Sequence, residues 1–278
     1  MHDQASHMRA IASGHGRALR PAHPRVITVT SGKGGVGKST VALNMGIVMA
    51  EMGKQVLLID ADANLANLDI MLGVSPRFRL SNVLRGEVDL EDILISPQQG
   101  LRVLPGSSGE VDYPLLNAEM QEDIIGQAMG LDDRPDIVLI DTSAGLSPEI
   151  IGFALHSTEV IVVSSVEPTS IMDAYAVMKV ITASEPDRPI SLLLNSVRLP
   201  SEAEETVRKL RLAVDRFLKR DIGYLGFVPF DVAVQKAVQR QEPFVRVFPR
   251  SAAALSLTAM TRQWVQEMWN GSYRRAAS

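Results

Sequence analysis

A glycine-rich segment between residues 32 and 39 is the first candidate for chemistry. It reads Gly-Lys-Gly-Gly-Val-Gly-Lys-Ser and matches the phosphate-binding pattern G-x-x-x-x-G-K-[ST] in full. An apolar run precedes it and a helical pattern follows, so backbone N–H groups at the start of a helix would point at phosphate oxygens. We expect Lys38 to reach the β- and γ-phosphates and the Ser39 hydroxyl to bind Mg²⁺. The other nucleotide contacts predicted here are Gly34, Gly35, Val36, Gly37 and Thr40.

Aspartates follow two other apolar runs. Asp60 and Asp62 come after Val56–Ile59, and Asp141 comes after Ile137–Ile140. An aspartate directly after an apolar strand lies at the carboxyl edge of the sheet, where it can orient magnesium-bound water near a phosphate loop. The residues alone leave open how the roles are divided, and any one of these aspartates could simply cap a helix.

Strand and helix patterns alternate along the chain and position these candidates. Continuous Val, Ile and Leu runs are typical of strands buried on both faces. The predicted strands are Arg25–Ser31, Gln55–Asp60, Leu101–Pro105, Asp136–Asp141, Glu159–Ser164, Ile190–Asn195 and Tyr224–Pro229. The predicted helices are Ser39–Met52, Asn117–Met129, Pro148–His156, Thr169–Ser184, Glu202–Lys219 and Ser251–Trp269. The alternation predicts an α/β fold, a three-layer αβα arrangement around a mostly parallel, twisted sheet of roughly 7–8 strands.

The two ends of the chain differ from this body. Residues 1–24 carry four of the five histidines and end in prolines, so we expect a flexible N-terminal tail. Residues 25–270 form one predicted P-loop domain, and residues 271–278 form a short C-terminal tail.

Composition excludes several classes of protein. The chain has no cysteine, which rules out disulfides, thiolate metal sites and cysteine-ligated iron–sulfur clusters. No apolar run reaches the roughly 18 residues of a membrane-spanning helix, and no signal peptide is visible. The formal net charge of −4 argues against a strong nonspecific grip on DNA. We therefore expect a cytoplasmic protein without direct nucleic-acid binding.

A second lysine narrows the class of P-loop. Together, Lys33 and Lys38 give Lys-Gly-Gly-Val-Gly-Lys-Ser, which resembles the deviant P-loop of the MinD/ParA family of ATPases. The resemblance implies ATP, ADP and Mg²⁺ as ligands and an ATP-dependent homodimer. It implies that Lys33 crosses the dimer interface to the partner's phosphates, and it places Asp173 at the same interface. The alternative is that Lys33 is an ordinary solvent-exposed lysine of the loop.

The resemblance also divides the roles of the carboxylates. It implies that Asp62 orients the attacking water, that Asp60 supports the site, and that Asp62 and Asp141 hold Mg²⁺ through water. The catalytic residues would then be Lys33, Lys38 and Asp62, in a slow ATPase.

Further positions match the family's switches and its base-binding loops. Asn67 lies in the segment 64–69, which resembles the first switch, and Gly145 matches the second switch, whose backbone senses the γ-phosphate. The adenine ring is expected to be read by the amide of Asn195 and covered by the loop that contains Pro229 and Asp231. These matches are weaker, because an asparagine at a strand end is also a common turn former.

Three segments, 167–176, 234–241 and 248–251, are similar to the flagellar branch of this family, the FlhG/FleN proteins. That resemblance implies a regulator of flagellar number or placement. The tail resembles a branch motif, Asp-Gln-Ala-x-x-Leu-Arg, that stimulates the GTPase FlhF. The matching residues are Asp3, Gln4, Ala5, Met8 and Arg9. Flagellar C-ring proteins or a flagellar transcriptional activator are further expected partners. Simple disorder or a cloning remnant are the alternatives for the tail.

Other readings of the same loop remain open. A ParA-type partition ATPase is expected to carry a stripe of basic residues on its dimer. A MinD-type septum-placing ATPase is expected to end in a clearly amphipathic C-terminal helix. Leu257, Met260, Trp264 and Met268 recur at helical spacing, which suits either a core helix or a membrane-contacting one. We favour core packing. Weak or transient membrane contact by the extreme C-terminus, and a peripheral position at the inner membrane face or cell pole, are lesser expectations.

Overall fold

The structure, a computed structural model, describes residues 24–62, 66–107 and 116–270. Among these residues, eight strands form one twisted sheet. They are β1 (Arg25–Ser31), β2 (Val56–Ala61), β3 (Ile95–Gln98), β4 (Leu101–Leu104), β5 (Ile137–Ala144), β6 (Glu159–Ser164), β7 (Ile190–Val197) and β8 (Gly223–Pro229). Their order is β3-β4-β2-β5-β1-β6-β7-β8. Only the β3–β4 pair is antiparallel, so the sheet is mostly parallel, as predicted.

Helices cover both faces of the sheet. They are α1 (Lys38–Glu51), α2 (Leu68–Met71), α3 (Leu80–Leu84), α4 (Ala118–Gly130), α5 (Pro148–His156), α6 (Pro168–Ser184), α7 (Pro200–Leu218), α8 (Val232–Gln239), α9 (Phe244–Val247) and α10 (Ala252–Trp269). A 3-10 turn, Leu90–Ile93, precedes β3. The α1 and α10 helices pack on one face, and α4 to α7 pack on the other. This is the three-layer arrangement that the sequence predicts.

The C-terminal helix α10 belongs to the core. Its apolar stripe of Leu257, Met260, Trp264 and Met268 is buried against α1 and the sheet. Full burial of such side chains stabilises a fold by about 1.5–3 kcal/mol each. The preference for core packing of this helix is therefore confirmed. None of the helices in the described ranges is long and apolar enough to cross a membrane.

Strand register brings the predicted carboxylates together. The central strand β1 lies between β5 and β6, and β5 also pairs with β2. In the β2–β5 ladder Asp60 stands directly opposite Asp141. Because parallel strands end at the same edge of the sheet, the loop after β1 opens beside both carboxylates.

The seven predicted strands are all present, but several short elements escape sequence reasoning. The edge strand β3 is a four-residue piece containing a proline, and α2, α3 and α9 have only four or five residues. The α8 helix has eight residues. Elements this short carry less than two or three turns of periodic signal, and only tertiary packing stabilises them.

Candidate nucleotide-binding site

The glycine-rich loop joins β1 to α1 and curls through two left-handed residues. Gly35 has φ of 78° and Gly37 has φ of 86°, conformations that residues with a Cβ seldom adopt. Gly37 is the N-cap of α1, so the helix begins at Lys38. A Cβ added at Gly34 or Gly35 would meet no atom within 4 Å. The loop therefore presents free space in front of a helix N-terminus, which suits an anion such as a phosphate.

Lys38 and Asp141 form a buried ion pair at the foot of this loop. Lys38 Nζ lies 2.6 Å from Asp141 Oδ1, and the two side chains are 7% and 1% exposed. Burial raises the pKa of the Asp141 carboxyl, and the Lys38 ammonium and the Ser39 hydroxyl oppose that rise. The structure thus brings together the residues predicted to hold phosphate and Mg²⁺. Their hydroxyl and carboxylate oxygens suit that hard cation.

Asp60 organises the loop that follows β2. Its Oδ1 accepts the Asp62 N–H at 3.3 Å, and its Oδ2 accepts the N–H groups of Asn67 and Leu68 at 3.0 and 3.1 Å. Burial, followed by the nearby Asp141 carboxylate, raises the pKa of Asp60 to about 7 although the three N–H donors lower it. These bonds bend the loop around Asp60, which matches the supporting role expected for this residue.

Asp62 points toward the end of β5. Its Oδ1 accepts the Ser143 hydroxyl at 2.7 Å, and the side chain is half-buried. Two residues further on, Gly145 has φ of 115° and donates its N–H to the Ser31 carbonyl at 2.8 Å. Gly145 therefore bonds the last residue of β1, directly before the phosphate loop, and Asp62 bonds the end of β5. Residues 63–65, which include part of the predicted first switch, are outside the described residues.

Lys33 is held on its own subunit by the start of α6. Its Nζ lies 2.8 Å from Glu167 Oε2 and donates to the Thr169 hydroxyl at 3.2 Å. Behind it, a Cβ on Gly32 would lie 2.3 Å from the backbone of Asp173, so the loop packs directly on α6. The structure places Asp173 beside the phosphate loop.

A narrow pocket between α1 and the ends of β7 and β8 adjoins the loop. Residues from four parts of the chain line it, including Thr40, Asn195, Pro229, Phe230 and Asp231. The adenine-binding residues predicted from sequence are therefore brought together.

Asp231 lines this pocket, and both of its carboxylate oxygens accept hydrogen bonds from backbone N–H groups. Its Oδ1 accepts the Ala233 N–H at 2.9 Å, which caps α8, and its Oδ2 accepts the Ala253 N–H at 3.2 Å, at the start of α10. Beside it, the Arg198 guanidinium stacks on the Phe230 ring at 4.5 Å. Asp231 thus positions the loop that would cover a base.

Several residues of the site were not predicted individually. Glu167 and Thr169 bind Lys33, and Ser143 binds Asp62. The Arg79 guanidinium lies 2.6 Å from Asp69 Oδ2 and donates to the Gly106 carbonyl at 3.0 Å. The segment 167–176 was recognised only as a flagellar-type sequence. Its contact with Lys33 spans 134 positions, and no local pattern reports such a contact.

The fold and the site define a class: a P-loop nucleotide-binding protein with a mostly parallel sheet. A family model described as an AAA domain matches residues 24–188. The chain is 37% identical over 242 residues to the antiactivator FleN of Pseudomonas aeruginosa, covering 87% of this chain and 86% of that protein. It is 28% identical over 249 residues to the flagellum site-determining protein YlxH of Helicobacter pylori, covering 89% and 84%. The chain belongs to the MinD/ParA family of P-loop ATPases, in its flagellar branch.

Solved structures agree with this assignment. The cell division ATPase MinD of Pyrococcus furiosus superposes with a TM-score of 0.72 at 27% identity, covering 87% of this chain and 98% of that one. MinD of Pyrococcus horikoshii, complexed with Mg-ADP, gives 0.72 at 27% identity, covering 86% and 95%. The α/β fold predicted from the sequence is confirmed.

Proposed function

We propose that this chain binds and hydrolyses ATP and acts as a nucleotide-controlled regulator of flagellar number or placement. The observation that carries the proposal is the two-lysine phosphate loop beside Asp60, Asp62 and Asp141, in a chain 37% identical to FleN over most of its length. Its output would be binding to partner proteins, and hydrolysis would reset it. The cytoplasm, or the inner face of the membrane at a cell pole, is the expected location.

The buried contacts of the site indicate how a nucleotide would engage. On binding, Lys38 would turn from Asp141 to the β- and γ-phosphate oxygens. A phosphate carries more charge than one carboxylate, and charge-assisted hydrogen bonds to it are strong. Mg²⁺ would be bound by the Ser39 hydroxyl and, through water, by Asp62 and Asp141. The ion would offset phosphate charge. Asp62, half-buried and already accepting a hydrogen bond from the Ser143 hydroxyl, can orient a water molecule for attack.

A homodimer is supported by the surface around Lys33. Met172 on α6 and Leu146 in the loop after β5 are 65% and 47% exposed. Met172 adjoins Asp173, which packs on Gly32 of the phosphate loop, and Leu146 adjoins Gly145, which bonds the Ser31 carbonyl directly before that loop. Exposed apolar side chains are common in the surfaces that proteins use to bind one another. We propose that a second copy covers this face and that Lys33 then leaves Glu167 for the partner's phosphates.

Lys33→Ala should still bind ATP but should fail to dimerise or hydrolyse it. The physical reason is that Lys33 lies at the exposed edge of the loop, where it can reach a partner, whereas Lys38 lies at the buried foot. Size-exclusion chromatography with light scattering in ATP and in ADP measures the dimer. Lys209→Ala is the matched control, since Lys209 is also exposed and paired with a glutamate, Glu205 at 2.6 Å. Unchanged ATP-dependent dimerisation would make Lys33 an ordinary loop lysine.

The N-terminal motif would supply a second output, stimulation of the flagellar GTPase FlhF. It lies in residues 1–23, outside the described residues, so the proposal rests on Asp3, Gln4, Ala5, Met8 and Arg9 as sequence. Gln4 can orient water and Arg9 can steady phosphate charge, the two jobs that stimulatory residues perform in GTP hydrolysis. C-ring proteins or a transcriptional activator remain further proposed partners.

A synthetic peptide of residues 1–20 should raise the turnover of FlhF without the ATPase domain. Gln4→Ala or Arg9→Ala should lower stimulation more than binding, because these side chains act mainly in the transition state. Met8→Ala should weaken binding by about 1–3 kcal/mol if a groove buries it. A phosphate-release assay with the peptide series measures this. Absence of stimulation at hundreds of micromolar wild-type peptide would leave a tail without this activity.

A septum-placing or chromosome-partition ATPase is the second candidate. The chain is 37% identical over 226 residues to a putative septum site-determining protein MinD of Emiliania huxleyi, covering 80% of both. Deletion of the gene distinguishes the two functions. Altered flagellar number with normal division and segregation supports the flagellar function, and minicells or anucleate cells support the alternative.

A further inference from the structure

The side-chain amide of Asn195 lies on the phosphate loop as well as beside the base pocket. Its Nδ2 donates to the Val36 carbonyl oxygen over 2.7 Å. Asn195 lies near the end of β7 and Val36 in the loop after β1, 159 positions apart in the chain. The contact therefore connects the part of the site that would read a base with the part that would hold phosphates.

Gly37 shows how closely the amide sits on the loop. A Cβ added at Gly37 would lie 2.3 Å from Asn195 Nδ2, whereas one added at Gly34 or Gly35 would meet nothing within 4 Å. The Val36 carbonyl and the Gly37 N–H belong to one planar peptide unit and point in opposite directions. When Asn195 binds the Val36 carbonyl, the Gly37 N–H therefore points away from Asn195.

The end of β7 is itself held in place, so the amide has a defined position. Ser196 adopts φ of 57°, a left-handed conformation that a non-glycine residue seldom adopts. The carbonyl of the next residue, Val197, accepts the Phe230 N–H at 2.8 Å. Asn195 therefore directly precedes a turn that is bonded to the residue after β8.

We infer that Asn195 is a positioning residue for the phosphate loop and not only a reader of the base. The inference rests on the proposed nucleotide-binding function. The Val36 contact uses one of the two Nδ2 hydrogens, so the second hydrogen and Oδ1 are still able to face a base. One side chain therefore contacts the phosphate loop and also lines the base pocket.

Inorganic tripolyphosphate, which has phosphates and no base, separates the two roles. Competition against a fluorescent ATP analogue measures its affinity, with ATP and GTP measured alongside, for wild type, Asn195→Ala and the similarly sized Asn195→Leu. Both variants should bind tripolyphosphate about threefold to tenfold more weakly, the loss of one hydrogen bond. Their affinity for ATP should fall as well, because ATP uses the same phosphate loop. Thermal melts show which variant is folded, and the second variant covers a failure of the first.

Asn117→Ala is the control, because the Asn117 side chain also bonds the backbone, accepting the Met120 N–H at 2.9 Å as the N-cap of α4. It should leave tripolyphosphate affinity unchanged. Equal competition by tripolyphosphate in wild type and folded Asn195 variants would overturn the inference. So would its failure to compete at all with wild-type protein that binds ATP. Wild-type protein that binds neither ligand would instead overturn the proposed function.

Discussion

Lys38→Ala is expected to abolish ATP binding at physiological concentrations. A charged hydrogen bond contributes about 1.5–3 kcal/mol, and Lys38 is expected to make two, one to each of two phosphates. Their loss corresponds to a roughly hundredfold to ten-thousandfold fall in affinity. Isothermal titration calorimetry with Mg-ATP measures it. The phosphate loop has open space at Gly34 and Gly35 and one buried ammonium group, that of Lys38. Among the described loop residues, the exposed Lys33 is the one other cation that could replace it.

The same substitution removes the partner of Asp141. Taking away one member of a buried ion pair commonly destabilises a protein by about 3–5 kcal/mol, although protonation of a carboxyl whose pKa is already raised by burial would reduce that cost. Thermal melts must therefore accompany the titration, and a second variant, Lys38→Ala with Asp141→Asn, restores neutrality at the site. Lys54→Ala is the matched control, because Lys54 is also a partly buried lysine, stacked 3.8 Å from the Trp269 ring and distant from the loop. Wild-type affinity in folded Lys38→Ala would refute the phosphate-loop assignment.

Asp62→Ala is expected to preserve ATP binding and to lower hydrolysis by about a hundredfold to ten-thousandfold. That is the usual contribution of a group that positions or deprotonates the attacking water. The variant should accumulate as an ATP-bound dimer, because the step that resets it is lost. Steady-state phosphate release and light scattering in ATP measure the two effects. The fold should tolerate the change, since the three backbone bonds that organise the loop are made by Asp60.

Two further variants separate water orientation from simple loop support. Asp62→Asn can still accept the Ser143 hydroxyl but carries no negative charge, so it should be nearly as inactive as Asp62→Ala. Ser143→Ala removes the 2.7 Å bond and leaves the carboxylate in place, so it should retain most activity. Normal hydrolysis by Asp62→Ala, or a monomer at saturating ATP, would contradict the role assigned to Asp62. Glu149 would then be the next candidate for orienting the water. Burial, with a smaller contribution from Asp62, raises the pKa of that nearby carboxyl.

Much of the site could be predicted because its residues lie close together in the sequence, in recognisable local patterns. The glycines, Lys38 and Ser39 act within one loop, and the preceding apolar run and following helical pattern place that loop at the edge of a sheet. Asp60 and Asp141 each follow an apolar run, so parallel pairing predicts that both approach the same edge of the sheet, whereas the β2–β5 pairing that sets them opposite each other is a result of the fold. Lys33 and Asn195 were recognised only through resemblance, because a single lysine or asparagine has no periodic or spacing signal of its own.

Other contacts depend on surfaces that meet only after folding. The sequence by itself determined the α/β class, the phosphate loop and the edge of the sheet where the carboxylates gather, since these depend on residues within a few positions of one another and on strand pairing rules. Only the tertiary structure decided that Glu167 holds Lys33, that Asp231 caps two helices, and that Asn195 lies on the Val36 carbonyl. Each of these is a polar contact of one or two atoms between segments distant in the chain. Its geometry depends on how the β6, β7 and β8 ends converge on the loop, and no local propensity encodes that convergence.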